Sequence, residues 1–346
     1  MPRPRLRVDL KKLEYNAREL TGRCRRLGIA VVGVTKACCG HPWVAQAMLR
    51  GGVAGLGDSR LENLQRMRRA GVRGPFTLLR FPSPRGAAAA VSLAEVSLNS
   101  EPQTLLALSK AALSARRVHG VVLMVEMGDL REGLWPSELS AVARFSARLP
   151  GIRLLGVGTN LACLGGALPT PEKLERLVSL ARGLRRELGL PLPVVSGGNS
   201  SSLLLLEQGA MPRGITQLRL GEAILLGRET ACGRVLPGLW ADAFELEGEV
   251  IEVKAGPPES PGSPGGPGRG RRALLALGRQ DADPEGLVPL EAGIEVVGMS
   301  SDHLVLDVTR LRRPLGVGGR VGFALRYGAL LAAMTSPYVA KVFRGR

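Results

Sequence analysis

Between residues 30 and 228 a short apolar run, a polar turn and a helical stretch recur eight times, and this alternation constrains the fold more than any other feature. The runs lie at 30–35, 53–57, 76–79, 95–98, 121–125, 154–158, 193–195 and 216–220. Continuous apolar strands alternating with helices mean a parallel sheet covered by helices on its faces. The helical patterns at 101–115, 136–148 and 171–188 each begin near Ser or Pro, residues that suit a first turn. Eight such units within about 200 residues predict an α/β fold, a (β/α)8 barrel. An open doubly wound sheet would more often carry a glycine fingerprint after its first strand. Here that strand ends in Val34-Thr35-Lys36 instead.

After residue 233 the pattern changes. Runs at 244–253, 273–277, 294–298, 304–308 and 320–325 read as short strands, with no strong helix pattern between them. The expected division is therefore a barrel over 8–233 and a smaller, mostly β domain over 234–346. A Pro/Gly/Ser-rich stretch at 255–270 reads as a flexible, disordered loop within that domain.

The formal net charge is +17, which raises the question of a nucleic-acid partner. The arginines are spread along the chain and often alternate with acids, as in Arg185, Arg186 and Glu187. No zinc-finger spacing or interleaved aromatic run accompanies them, so the expectation is no nucleic acid and no metal. The five cysteines form no CxxC pair, and their odd number suggests free thiols in a reducing compartment. The N-terminal residues are charged without an apolar h-region, and no apolar stretch is long enough to span a bilayer. These features predict a cytoplasmic protein with no membrane partner.

Active sites of (β/α)8 barrels form at the C-terminal ends of the strands. The seventh strand is followed by Ser196-Gly197-Gly198-Asn199-Ser200-Ser201-Ser202 and then an apolar run. Glycines allow close backbone approach to a ligand, and hydroxyls with free N–H groups at a helix start suit an anion such as phosphate. An ordinary capped loop is the plainer reading. Lys36 ends the first strand and is one of only seven lysines. It reads as a surface lysine, a phosphate contact or a Schiff-base nucleophile. An amine and a phosphate cradle in one barrel mouth are what pyridoxal phosphate requires.

The segments around Val34-Thr35-Lys36, Ser196–Ser200 and Leu218-Arg219-Leu220-Gly221 resemble the alanine racemase superfamily. MVEMGDLREGLW (124–135), SGGNSSSL (196–203) and LRLGEAILLGRET (218–230) look closer still to its ornithine and alanine/ornithine racemases. GRQDAD (278–283) and GMSSDHLVLDV (298–308) are similar to that group too. The resemblance implies a pyridoxal-phosphate barrel followed by a β domain, acting as a homodimer on a small amino acid. It implies that Lys36 holds the cofactor as an aldimine and serves as one of two α-proton bases. It assigns Asn160 to the cofactor face, Ser200 to the phosphate with Ser196, Asn199, Gly221 and Glu222 beside it, and Arg219 to the pyridine nitrogen. A permanently charged arginine would keep that nitrogen unprotonated. Arg131 matches an arginine near the ring and the substrate carboxylate.

The chain also departs from that pattern. Where the β domain of the family carries a tyrosine base, this sequence has Gly278-Arg279-Gln280-Asp281. A lysine of the fifth strand is replaced by Met124, and a C-terminal tyrosine by Phe343. The second base is open among Cys163, Asp281, Asp302 and His303, and His303 reads equally well as a solvated turn residue. Asp302, with Ser301, could instead receive the distal ammonium of a diamino acid. Ornithine is the expected substrate. Alanine or another amino acid, another reaction on the same cofactor, or a non-catalytic cofactor-binding homeostasis protein are the alternatives.

Overall fold

A run of branched and leucine side chains becomes a strand most readily where both of its faces can leave water. In the computed structural model, which describes residues 3–164, 166–255 and 270–345, the chain opens on β1 (Arg5–Asp9) and a helix over Leu10–Arg25. Then come β2 (Ala30–Val34), β3 (Gly55–Asp58), β4 (Phe76–Leu78), β5 (Val96–Asn99), β6 (His119–Met124), β7 (Ile152–Gly158), β8 (Val194–Ser196) and β9 (Gln217–Leu220). Each pairs in parallel with the next, and β2 pairs with β9 from Ala30↔Gln217 to Gly33↔Leu220, closing the barrel. The expected strands and the observed ones agree to within two residues at either end. Strand β6 is buried along its whole length, and its Met124 packs with Leu98 and Val122 in the core.

The helix over Pro171–Leu188 shows how local signals set an element. Thr170 accepts a hydrogen bond from the Lys173 N–H, Pro171 occupies the first turn, and Gly189 ends the helix in a left-handed conformation with φ of 63°. Leu174, Leu177, Val178, Ala181 and Leu184 recur at helical spacing and are buried. Losing the cap, as in Thr170→Ala, costs about 1 kcal/mol.

The chain divides into two compact units. One comprises Leu13–Lys36 and Gly40–Leu239, which carry the barrel; the other comprises Trp240–Arg346, Met1–Lys12 and Ala37–Cys39. The strands of the second unit after β1 are β10 (Phe244–Ala255), β11 (Arg271–Leu275), β12 (Leu287–Pro289), β13 (Glu295–Met299), β14 (Leu304–Asp307), β15 (Arg320–Leu325) and β16 (Ala340–Arg344). Long β10 pairs antiparallel with β1, β11 and β15, while β16 runs parallel to β1. Two features differ from expectation. The first strand of the chain lies in this sheet, and a nine-residue helix over Tyr327–Thr335 separates β15 from β16. The Pro/Gly-rich loop expected at 255–270 lies, over 256–269, outside the described residues. No helix among the described residues is long and apolar enough to cross a membrane.

Candidate active site

Barrel closure places β2 beside β9, so five neighbouring strands, β6, β7, β8, β9 and β2, carry Arg131, Asn160, Ser196, Arg219 and Lys36 at or beyond their C-terminal ends. Lys36 lies two residues beyond the end of β2 and begins a short 3-10 turn; its side chain is exposed. Electrostatically it reaches Glu222, after β9, and Cys163, after β7. The residue before it is anchored from below. Thr35 donates through its hydroxyl to Asp58 Oδ2 at 2.7 Å, and Asn63 donates to Asp58 Oδ1 at 2.9 Å. Burial raises the Asp58 pKa, and these hydrogen bonds work against that rise.

Arg219 is buried, and it finds an acceptor in three places. It donates to the Thr159 carbonyl at 2.7 Å, to Asn160 Oδ1 at 2.7 Å and to the Ser196 hydroxyl. Burial lowers its pKa to about 10, which leaves the guanidinium charged at neutral pH. Asn160 in turn donates to Glu132 Oε1 at 2.6 Å. Arg131 grips the same carboxylate, through Nη2 to Oε1 at 2.6 Å and through Nε to Oε2. Burial opposes the Arg131 charge, but the Glu132 hydrogen bond and neighbouring acidic groups outweigh it and hold its pKa above the ordinary value. Asp129 is buried and caps the next loop by accepting from the N–H groups of Cys163 at 2.8 Å and Leu164 at 3.1 Å. Burial raises the Cys163 thiol, with Arg131 pulling the other way.

The loop after β8 forms the cradle. Gly198 has φ of +109°, and a Cβ there would lie 2.7 Å from the Ser202 hydroxyl, so the turn requires glycine. Asn199 accepts from the Ser201 N–H at 2.8 Å and donates to the Leu161 carbonyl at 2.8 Å, which pins the loop to its neighbour after β7. Ser200 Oγ accepts from the Ala223 N–H at 3.2 Å, joining the loop to the Gly221-Glu222 segment after β9. The Ser201 hydroxyl is fully buried and has no partner among the described residues. The helices that follow, Leu203–Glu207 and Glu222–Leu226, have five residues each, so local hydroxyls and N–H groups carry this site rather than a long helix dipole. Burial also raises Glu222.

Ser301, Asp302 and His303 belong to the second unit, in the exposed turn joining β13 to β14. Gln280 donates to Asp302 Oδ1 at 2.7 Å, and the Ser301 hydroxyl donates to Oδ2 at 2.8 Å. A Cβ on Gly278 would lie 2.1 Å from the Ser301 carbonyl oxygen, so glycine is what lets the 278–281 segment pack on this turn. Within that segment Asp281 is buried and accepts from the Gly278 N–H at 3.0 Å, a structural role.

The barrel mouth thus brings together Lys36, Asn160, Ser196, Asn199, Ser200, Arg219, Gly221 and Glu222. Pyridoxal phosphate fits this donor set. An exposed primary amine suits its aldehyde, a buried hydroxyl without a partner suits its phosphate, and a fixed cation suits its ring nitrogen. Sequence reading missed Glu132, and it gave Asp129 and Ser201, which lie in the segments after the fifth and seventh expected strands, no role of their own. Asp129 and Glu132 sit in a charged glycine-bearing turn that looks solvated, and only the bond from Asn160 on the next loop reveals Glu132.

Comparison with known proteins agrees with this geometry. The model of the alanine racemase N-terminal domain family matches residues 8–229. The lysine racemase of Thermotoga maritima is 40% identical, with 98% of this chain and 98% of that protein aligned. The ornithine racemase of Acetoanaerobium sticklandii is 38% identical over 98% of this chain and 99% of its own. An alanine racemase from D-cycloserine-producing Streptomyces lavendulae shares the fold with a TM-score of 0.78 at 21% identity, covering 100% of this chain and 98% of that one.

Proposed function

Since this chain belongs to the alanine racemase family and is a pyridoxal-phosphate-dependent amino-acid racemase, we propose that it interconverts L- and D-ornithine. The observation that carries the substrate class is similarity along nearly the whole chain to two racemases named for diamino acids. Lysine is the second reading, because the lysine racemase is as similar as the ornithine racemase.

When bound, the cofactor supplies an electron-withdrawing ring that makes the α-proton of an amino acid removable. Lys36 would hold it, and its amine would move a proton on one face of the α-carbon. Ser200, Ser201 and the N–H groups near Gly221 and Glu222 would hold the phosphate, with Ser196 and Asn199 shaping the loop. Arg219 would offer the ring nitrogen a fixed positive charge, and Asn160 holds Arg219 in place. Arg131 orients the substrate carboxylate. Asp302 and His303 supply the opposite face or receive the distal ammonium, with Ser301 holding the Asp302 carboxylate. A homodimer would bring that turn to a barrel mouth, and exposed Leu130, Leu164 and Leu168 on the mouth loops offer apolar surface for it. Five cysteines with no disulfide among the described residues suit the cytoplasm.

The test incubates the protein and pyridoxal phosphate with L-ornithine, L-lysine or L-alanine in D2O. Chiral chromatography and mass spectrometry then follow the products. D-ornithine forming fastest, with deuterium at the α-carbon, supports the reading. Faster D-lysine transfers it to the second substrate, and no exchange on any amino acid overturns it.

A further inference from the structure

We propose that Glu132 is a positioning residue that couples Arg131 to Arg219 through Asn160, so that the two guanidinium groups of the barrel mouth act as one unit. This rests on reading that mouth as the cofactor and substrate site.

The coupling is a continuous run of hydrogen bonds. Glu132 Oε1 accepts from Arg131 Nη2 at 2.6 Å and from Asn160 Nδ2 at 2.6 Å, and Oε2 accepts from Arg131 Nε. The Asn160 amide then presents Oδ1 to Arg219 Nη2 at 2.7 Å. Arg219 is fixed at its far side by Thr159 and Ser196. A neighbouring arginine–glutamate pair alone would be a surface ion pair of small consequence. The second donor on the same carboxylate oxygen makes this one different.

The polarity of Asn160 follows from its two neighbours. Turned over, its amide would point N–H groups at a guanidinium and an oxygen at a carboxylate, two repulsive contacts. A carboxylate at 132 therefore decides that Oδ1 faces Arg219. Charge balance points the same way. Three cations, Lys36, Arg131 and Arg219, gather at this mouth. Asp129 already spends Oδ1 on two backbone N–H groups and stands 3.9 Å from Arg131 through Oδ2. Glu132 is the carboxylate linked by hydrogen bonds to both arginines, directly to one and through Asn160 to the other. Its charge also opposes the lowering of the Arg219 pKa by burial.

The test is a double-mutant cycle of Glu132→Gln and Arg219→Lys. It reads the pH titration of the lysine-bound cofactor absorbance, the cofactor Kd, and KM and kcat. Glu132→Gln removes a negative charge near the cofactor, which disfavours its protonated form, so the absorbance midpoint should move to lower pH. KM should rise about tenfold with a smaller fall in kcat, because the arginine facing the substrate carboxylate is loosened. The cofactor Kd should stay within about threefold, since the phosphate cradle is untouched. The double variant should be no more than about twofold worse than the poorer single, and Glu132→Asp should recover part of the midpoint shift. An unmoved midpoint with losses that multiply overturns the proposal. If Glu132→Gln fails to fold, Asn160→Ala with Arg131→Lys and Arg219→Lys decides the same point. Breaking the link there should make the two arginine variants independent, and a dependence as strong as in the wild type overturns the coupling. If the wild type racemises no amino acid, the functional reading fails, yet the absorbance cycle still decides the coupling.

Discussion

Arg219 donates to Asn160 Oδ1 across 2.7 Å, and this contact ties a buried cation on β9 to the loop after β7. Replacing Arg219 by Ala leaves Asn160 Oδ1, the Thr159 carbonyl and the Ser196 hydroxyl without their donor. The loss of these charge-assisted bonds should lower the stability of the cofactor-free protein by roughly 2–3 kcal/mol. A shift of the denaturant midpoint measures it. A midpoint that does not move would mean that water replaces the guanidinium at no cost.

The cradle after β8 carries a second prediction. Ser201 buries a hydroxyl that has no partner among the described residues, and Ser200 lies beside it. Bonds from hydroxyls to a phosphate are worth about 1.5–3 kcal/mol each. Ser200→Ala and Ser201→Ala should each weaken cofactor binding about tenfold or more, read by equilibrium dialysis; Ser201→Ala should barely alter folding, whereas Ser200→Ala also strands the Ala223 N–H and should cost about 1 kcal/mol of stability. Unchanged affinity in both would place the phosphate elsewhere.

His119 predicts an acid limit to stability. The ring shares a 2.7 Å hydrogen bond with the Ser97 hydroxyl, and burial lowers its pKa to about 4. A neutral unfolded histidine charges near pH 6.5. Between pH 6.5 and 4 the unfolded chain therefore binds the proton and the folded one does not. Stability should fall with pH through that window, by roughly 3 kcal/mol from this group. Midpoints measured from pH 7 to 4 should show a shallower decline in His119→Gln. Parallel declines in the two proteins would assign the loss to other groups.

The turn at 301–303 separates two roles. If Asp302 receives a distal ammonium, Asp302→Asn should raise KM for ornithine and lysine about tenfold and leave alanine within about twofold. If it is the second acid, kcat should fall on every substrate. His303→Asn gives the same comparison for the histidine. A kcat unchanged on all three substrates would make that residue a solvated turn histidine.

The barrel was legible because its strands are buried on both faces, and burial on both faces leaves continuous apolar runs. The second unit was less so. Strands β1, RLRVD, and β16, AKVFR, alternate arginine or lysine with apolar residues and look like charged termini until they are paired with each other. The helix over Tyr327–Thr335 is apolar nearly all round, so it carries no amphipathic period. At the site, Lys36 stood out as a polar residue at the end of an apolar strand, and the role of Arg219 came from the family resemblance alone. Glu132 did not, because its meaning lies in a bond to a residue of the next loop, and such pairing across loops leaves no local pattern.

In the proposed mechanism Lys36 carries the cofactor. Borohydride reduction of the protein with pyridoxal phosphate, followed by digestion and peptide mass spectrometry, tests it directly. One pyridoxyl-phosphate adduct is expected, on the peptide containing Lys36, and none in Lys36→Ala. An adduct on another lysine, or none in the wild type, would contradict it.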